Sequence, residues 1–386
     1  MPINRRLFLT FMGSFALVRC AGITDINEEF IFTAGLRENK KYFVYFGKMK
    51  DLSYFTIELP FEVHSVVQNI LNKNEVIVIE KRGAHFAHID FIKRKIISIF
   101  KLPEEREFVG HGLINPITKK LIITTRKVTK EVYHQKENGA YQPMHAISGI
   151  ENNGLLSFFV YKHSQWVFEK EIYSGVAEPH QLIFNEKDNT FWVANGLDQT
   201  KEMLKSRFAC LTQFDGQKST LLANYDFKPD EKGYIADLGH LSIASNGNII
   251  LGAYVYYKDK SKNSGGRMIS FNKTLSEFNI YTGKEMPLKD EAFNITYLKG
   301  ENKFLAVCPG EDKIFKINAD TLKVEKIVKL KNGLEPGGLI STKIKGEYFW
   351  LNNKGGLIIN NNLQIIKSFK LDKNYFPSPH LELLKV

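Results

Sequence analysis

The chain has 386 residues, of which 43% are hydrophobic and 25% charged, so it can bury a large core and is not a globally disordered polymer. Its formal net charge of +11 comes from basic residues scattered along the chain. They form either a solvated basic surface or an attraction for an acidic partner, and with no aromatic-plus-basic motif beside them nucleic acid is set aside as a partner. The cysteines Cys20, Cys210 and Cys308 show no metal-binding spacing, and whether the last two pair is left open.

The chain begins Asn4-Arg5-Arg6-Leu7-Phe8-Leu9-Thr10, followed by an apolar run to Val18. Paired arginines ahead of a short apolar run resemble a twin-arginine export signal, with a cationic segment held at the inner leaflet while the apolar segment inserts. The run is too short for a comfortable membrane span. Residues 1–21 are therefore expected to be a signal segment that sends the protein to the periplasm, with a basic, frayed terminus as the alternative. Arg19 before Cys20 argues against a lipoprotein. No later apolar stretch is long enough to cross a bilayer, and residues 22–386 read as a single domain.

From there the signals are short and β-like. Val76–Ile79, Leu121–Thr124, Phe191–Ala194, Ile249–Gly252, Phe304–Val307 and Tyr348–Leu351 are compact β-prone runs, and no long stretch carries a 3.6-residue apolar period. Polar turn sequences precede them, as at Asn115-Pro116, Asn185–Asn189, Ser245–Asn248 and Lys299–Asn302.

About ten residues upstream of each of the first four β-prone runs stands a histidine, at His64, His111, His180 and His240, opening a short apolar segment. The same register falls at Phe293 and Gly337 and returns at His380, with spacings of 47, 69, 60, 53, 44 and 43 residues. Seven starts at about a blade's length predict an all-β, seven-bladed β-propeller. Too little chain follows His380 for a complete blade. The N-terminal strands near Tyr42–Phe46 and Tyr54–Leu59 are expected to complete the C-terminal blade and close the ring. An open sandwich or a β-helix is the competing fold.

In a propeller the inner strands of all blades run the same way along the central channel. His64, His111, His180, His240 and His380 would then share one rim, where imidazoles could bind a transition metal or an anionic ligand. The competing role is structural, a hydrogen bond between blades. Only neighbouring blades could meet at a metal, so the sharpest metal set is His111, His180 and His240. Asn195, in Asn195-Gly196, is either a ligand contact or a plain turn residue. Lys81-Arg82-Gly83 either binds an anion or turns a hairpin, and Glu178-Pro179 and Glu335-Pro336 are matched acids near the blade starts. His85, His88, His134, His145 and His163 share no register and read as surface or loop residues. No catalytic triad, HExxH helix, phosphate loop or dinucleotide fingerprint stands out, and no residue is assigned a catalytic role.

Arg5-Arg6, Lys81-Arg82-Gly83, Gly110-His111-Gly112, Pro179-His180-Gln181-Leu182, Val193-Ala194-Asn195-Gly196, His240-Leu241-Ser242-Ile243 and His380-Leu381 resemble the exported β-propellers of domain-of-unknown-function family 1513, over nearly the whole chain. Members are often encoded beside imelysin-like, periplasmic iron-uptake proteins, which implies an iron-related role and a periplasmic partner protein. Two departures weaken any carboxylate-based metal site implied by the family: Gln181 stands where an acid is usual, and Arg126 stands where an acid follows Thr124-Thr125. The expectation is a periplasmic binding protein rather than an enzyme, holding iron or another transition metal, a haem-like ligand or a partner protein. The alternatives are a metal-dependent, lactonase-like propeller hydrolase and a pure interaction scaffold.

Overall fold

The computed structural model describes residues 31–38, 41–48, 53–80, 82–128, 154–175, 178–196, 209–228, 234–257, 265–281, 294–308, 313–329, 339–341, 347–352, 355–360, 362, 364–370 and 376–384. The expected leader, Cys20, Glu335, His134 and His145 lie outside these residues, and so do the side chains of Cys308 and His380.

The described chain forms seven four-stranded antiparallel sheets, a seven-bladed β-propeller. Blades 2 to 7 each take four consecutive strands. Their innermost strands are Val63–Gln68, Arg106–Ile114, Glu178–Asn185, Tyr234–Ile243, Asn294–Leu298 and Leu339–Ser341. The β-prone runs read from the sequence are all second strands, for example Glu75–Glu80 in blade 2 and Thr190–Gly196 in blade 4. Blade 1 is composite. Its inner strand is the C-terminal segment Phe376–Leu384, which pairs with Ile31–Glu38, and Lys41–Lys48 and Tyr54–Leu59 follow outward. The ring thus closes through N-terminal strands paired with the C-terminal one. The closing strand itself, Ile31–Glu38, carried no signal that sequence reading used. Neighbouring inner strands touch around the whole ring.

Burial follows strand position. The second strand of blade 2 is buried along nearly its whole length, whereas its outer strand Lys95–Lys101 alternates between exposed and half-buried residues. Apolar side chains from adjacent blades meet in the seams. Ile77, Ile79 and Phe86 of blade 2 pack on Phe108, Leu121, Ile123 and Phe159 of blade 3. Trp192 and Leu211 of blade 4 pack on Leu238, Leu251, Ile269 and Phe271 of blade 5. At about 25 cal/mol per Å² of apolar surface removed from water, these aromatic-rich seams are the main source of stability.

The turns close as their residue types require. The Asn115 side-chain carbonyl accepts from the amides of Ile117 and Thr118, and Asp215 and Asn318 do the same for the two amides that start two residues later. Each replaces a backbone acceptor at a hairpin tip.

The histidine-bearing strands do not begin at their histidines, as the sequence reading has them. Arg106–Ile114 starts five residues before His111, and Tyr234–Ile243 six before His240. The histidines mark something more local. The ladder between first and second strands breaks register between Val63 and Ser65, Phe108 and Gly112, Pro179 and Leu182, and Leu238 and Leu241. One histidine lies in each break. In blade 1 the break between Pro377 and Leu381 holds His380. Among the described residues, which start at Asn294 and Leu339, the first two strands of blades 6 and 7 pair in register, and the sequence carries no histidine at the corresponding positions. A bulge releases a residue from strict alternation and re-aims its side chain.

Candidate functional site

Four histidines converge from four consecutive blades. The Nε2 atoms of His64 and His111 are 3.2 Å apart. Ring centroids are 5.1 Å apart for His111 and His180, 4.7 Å for His180 and His240, and 5.2 Å for His111 and His240. His64 and His180 rings are 6.4 Å apart. One ligand nitrogen each of His64, His111 and His180 lies within 4.8 Å of the others. The converging trio therefore contains His64, where sequence spacing alone places His240. His240 packs edge-on against His180 and His111 instead. His380 sits at the corresponding position of blade 1 by backbone register, with its side chain outside the described set.

Local sequence holds this arrangement in place. Gly110 has φ +124°, and a Cβ there would lie 2.2 Å from His64 Cδ2. Only glycine lets the inner strand of blade 3 approach the His64 ring this closely. The backbone groups freed by the breaks find side-chain partners. The His111 amide donates to Thr124 Oγ1, whose hydroxyl donates back to the His111 carbonyl at 3.0 Å. Ser65, next to His64, donates to the Gly110 carbonyl of the following blade. Gln181, next to His180, accepts from the Leu241 amide of the following blade at 2.7 Å. Gln181 therefore ties blades 4 and 5 together through its amide oxygen, and this bond does not require the acid expected by resemblance.

The site is largely shielded: His111 and His240 are 4% and 2% exposed, and His64 and His180 are half-buried. Desolvation lowers the His180 pKa to about 4, with Glu178 acting to raise it and Arg82 to lower it. Desolvation also holds His240 well below the ordinary imidazole value, and His180 and His111 push it further in the same direction. Both rings are neutral at pH 7, the protonation state in which imidazole ligates a metal. His180 Nε2 is buried and has no hydrogen-bond partner among the described residues.

Beside the histidines runs a chain of four charges. Arg126 Nε meets Glu107 Oε1 at 2.5 Å, an Arg126 terminal nitrogen lies 3.5 Å from Glu178 Oε2, and Arg82 Nη2 donates to Glu178 Oε1 at 3.1 Å. Arg126, Glu107 and Glu178 are buried. Arg126, a departure from the pattern of the resembling family, is thus compensated on both sides. Arg82 sits on the turn after the second strand of blade 2 at φ +51° and reaches Glu178 of blade 4. Neither Arg82 nor Glu107 is identifiable as part of this neighbourhood from sequence, because their partners lie up to 96 residues away.

Asn195 faces other work. Its side-chain amide donates to the carbonyls of Val193 and Cys210 and to Thr212 Oγ1, inside blade 4. Cys210 beside it is buried and free. His88 is not the surface residue expected. It is fully buried, with Nε2 2.7 Å from Glu75 Oε2, and Glu75 also accepts from Asn69 and Asn72. His85 is half-buried and lies 2.8 Å from Glu80, and His163 occupies a hairpin turn. Among the described residues no helix is long and apolar enough to cross a membrane.

Several solved structures share this architecture. Hydrazine synthase of Kuenenia stuttgartiensis superposes with a TM-score of 0.60 at 8% identity, over 85% of this chain and 94% of that one. The periplasmic gluconolactonase PpgL of Pseudomonas aeruginosa superposes with a TM-score of 0.59 at 11% identity, over 93% and 99%. Sqt1 of Saccharomyces cerevisiae gives 0.58 at 10% identity, over 89% and 83%. At these identities the likeness is one of fold. Among curated proteins nothing matches. The family described as "Protein of unknown function (DUF1513)" matches residues 57–361, and the chain belongs to that family.

Proposed function

We propose that this propeller is a metal-binding protein that holds one transition-metal ion on His64, His111 and His180, with His240 packed against two of the three ligands. One observation carries the reading: three imidazole nitrogens from three blades lie within 4.8 Å of one another, two of them 3.2 Å apart. At metal–nitrogen distances of about 2.0–2.1 Å, two ligand nitrogens stand roughly 2.9 Å apart at a right angle and roughly 3.3 Å apart at a tetrahedral angle. The His64–His111 separation falls between them. The competing structural role is a hydrogen bond between these two rings, which needs a proton on one Nε2. Ligation needs both Nε2 atoms bare, with the protons on Nδ1. Three neutral nitrogen donors suit zinc, iron(II), copper(II) or nickel(II).

The resembling family implies a place in periplasmic iron acquisition, with an iron-uptake protein as partner and the expected leader directing export. Iron as the preferred ion would support that placement. The second reading, a metal-dependent hydrolase, is favoured by the number of ligands, since three protein donors leave a coordination position for water or substrate.

The test is the metal content of purified protein, as isolated and after dialysis against iron(II), copper(II) or zinc(II), by mass spectrometry. A His64/His111/His180→Ala triple variant that keeps its fold is run beside it. Near-stoichiometric metal that the variant loses supports the site. No metal in the wild-type protein under any loading condition leaves a bond between blades as the role of these histidines.

A further inference from the structure

We infer that the turn between the first two strands of blade 2 is a membrane-docking tip, which seats Ile70 and Leu71 in the interface of an anionic lipid bilayer. The inference does not rest on the metal reading. Every blade runs outward from its inner strand in the same order, so the turns joining first to second and third to fourth strands all leave from one end of the ring. The corresponding turns of blades 4, 5 and 6 carry Glu186-Lys187, Asn246-Gly247 and Gly300-Glu301 at this end, the polar chemistry of a solvated turn. The blade 2 turn instead places two adjacent aliphatic side chains at its apex, 42% and 43% exposed.

Hydrogen bonds hold that apex in one shape. The side chains of Asn69 and Asn72 donate to the two Glu75 carboxylate oxygens at 2.8 and 2.7 Å, and the Leu71 amide donates to Asn69 Oδ1 at 3.0 Å. The Glu75 amide donates to the Asn72 carbonyl, and buried His88 fixes the Glu75 carboxylate from below. None of these bonds needs residues 70 and 71 to be apolar, and exposing aliphatic surface gains the fold nothing. A preformed apex loses little conformational freedom when its aliphatic pair is buried against a partner.

Charge identifies the partner. Lys73 is exposed on the same turn. Arg94 is exposed on the other turn of blade 2 at this end, with its guanidinium 4.4 Å from the Phe55 ring centroid, and the Phe91 amide joins the two turns by donating to the Asn74 carbonyl. Lys162 is exposed at a hairpin of blade 3, next to Tyr161, whose ring packs edge-on against His88. The acids of the blade 2 turns face inward: Glu75 is buried within the tip, and Asp90 is buried and paired with Lys93. An aliphatic apex ringed by cations matches the acyl boundary beneath a layer of anionic headgroups, with the ammonium and guanidinium groups at headgroup level. A protein partner would need a socket fitted to this narrow apex and further area around it, whereas a bilayer interface yields to it.

The experiment uses the full-length protein carrying Leu71→Trp and vesicles of phosphatidylcholine with brominated acyl chains, alone or mixed in equal parts with phosphatidylglycerol. Bromine quenches a tryptophan that reaches the acyl region. Leu222→Trp is the control, at a 54%-exposed position on the outer strand of blade 4, and the N-terminal segment is common to every protein compared. The expected result is saturable quenching of Leu71→Trp by the mixed vesicles, with Leu222→Trp and wild type unchanged. Adding Lys73→Glu and Lys162→Glu should weaken the apparent affinity about tenfold or more, because two cations that attract the anionic surface are reversed. Vesicles of phosphatidylcholine alone should bind more weakly by a similar factor. Quenching that is absent from Leu71→Trp, equal in Leu222→Trp, or indifferent to lipid charge or to the lysine changes overturns the inference, and the tip is then left to an acidic protein partner.

Discussion

Replacing Gly110 with alanine tests the site without removing a ligand. The new Cβ would lie 2.2 Å from His64 Cδ2 and 2.6 Å from Cγ. Ordinary carbon contacts begin near 3.4 Å, so the ring must retreat by about 1 Å. Metal–ligand distances tolerate only about 0.2 Å, and a retreat of that size removes His64 Nε2 from the trio. Metal affinity should fall about 100-fold or more, the loss of one of three donors. A second effect is separable. Alanine at φ +124° adds about 1–3 kcal/mol of backbone strain. Gly247→Ala controls for it: Gly247 also has positive φ, at +91°, but the nearest atoms to its new Cβ belong to the Lys273 side chain of blade 5 and not to a histidine. The assay is competitive titration with a chromophoric chelator, with a thermal melt of each metal-free protein alongside. Gly110→Ala should lose affinity and some thermal stability, and Gly247→Ala should lose stability alone. Wild-type affinity in a folded Gly110→Ala protein would refute the placement of His64 in the trio.

The metal-free protein should lose stability on acidification. His180 has its folded pKa depressed from about 6.5 to about 4, so as pH falls the unfolded chain takes up the proton first; stability drops between pH 6.5 and 4 by about 3 kcal/mol, and a His180→Gln protein should show a flatter melting-temperature profile over that range. Asn195→Ala should cost about 1–3 kcal/mol in a denaturant titration, through three lost hydrogen bonds inside blade 4; metal affinity should not change, and a collapse of affinity would make Asn195 a ligand contact after all. Arg126→Met should cost about 3–5 kcal/mol by leaving Glu107 buried without its guanidinium, while the same variant carrying Glu107→Leu should recover much of it in the same titration. Deleting residues 376–386 removes the inner strand of blade 1; the product should lose its cooperative thermal transition and elute as aggregate in size exclusion, and a monomer with a sharp melt would overturn the closure.

The fold was legible because its signals are local and repeated. Second strands such as Thr190–Gly196 are compact buried runs, and several hairpin tips carry an Asx residue whose side chain closes the turn. The histidine positions were legible for the same reason, since one register recurs from His64 to His380. Which of them converge was not. Choosing His64 over His240 depends on Gly110, whose missing side chain admits the His64 ring, and that contact joins residues in different blades. The ion chain through Arg82 and Glu178 spans 96 residues and leaves no trace in spacing. His88 was misread because nothing in its local sequence shows that Glu75, across the ladder, would bury a polar partner for it.

Histidines that converge from blades 2 to 5 place the candidate site on one side of the ring. Each blade otherwise adheres only to its two neighbours, so a propeller can open at whichever seam is weakest. An ion bound as proposed, from blades 2, 3 and 4, would act as a clasp across two of those seams and would contribute nothing directly to the far side. Amide hydrogen exchange should record this as slowed opening along one arc when metal is added, with little change opposite, so that the loaded ring would part between its unclasped blades first.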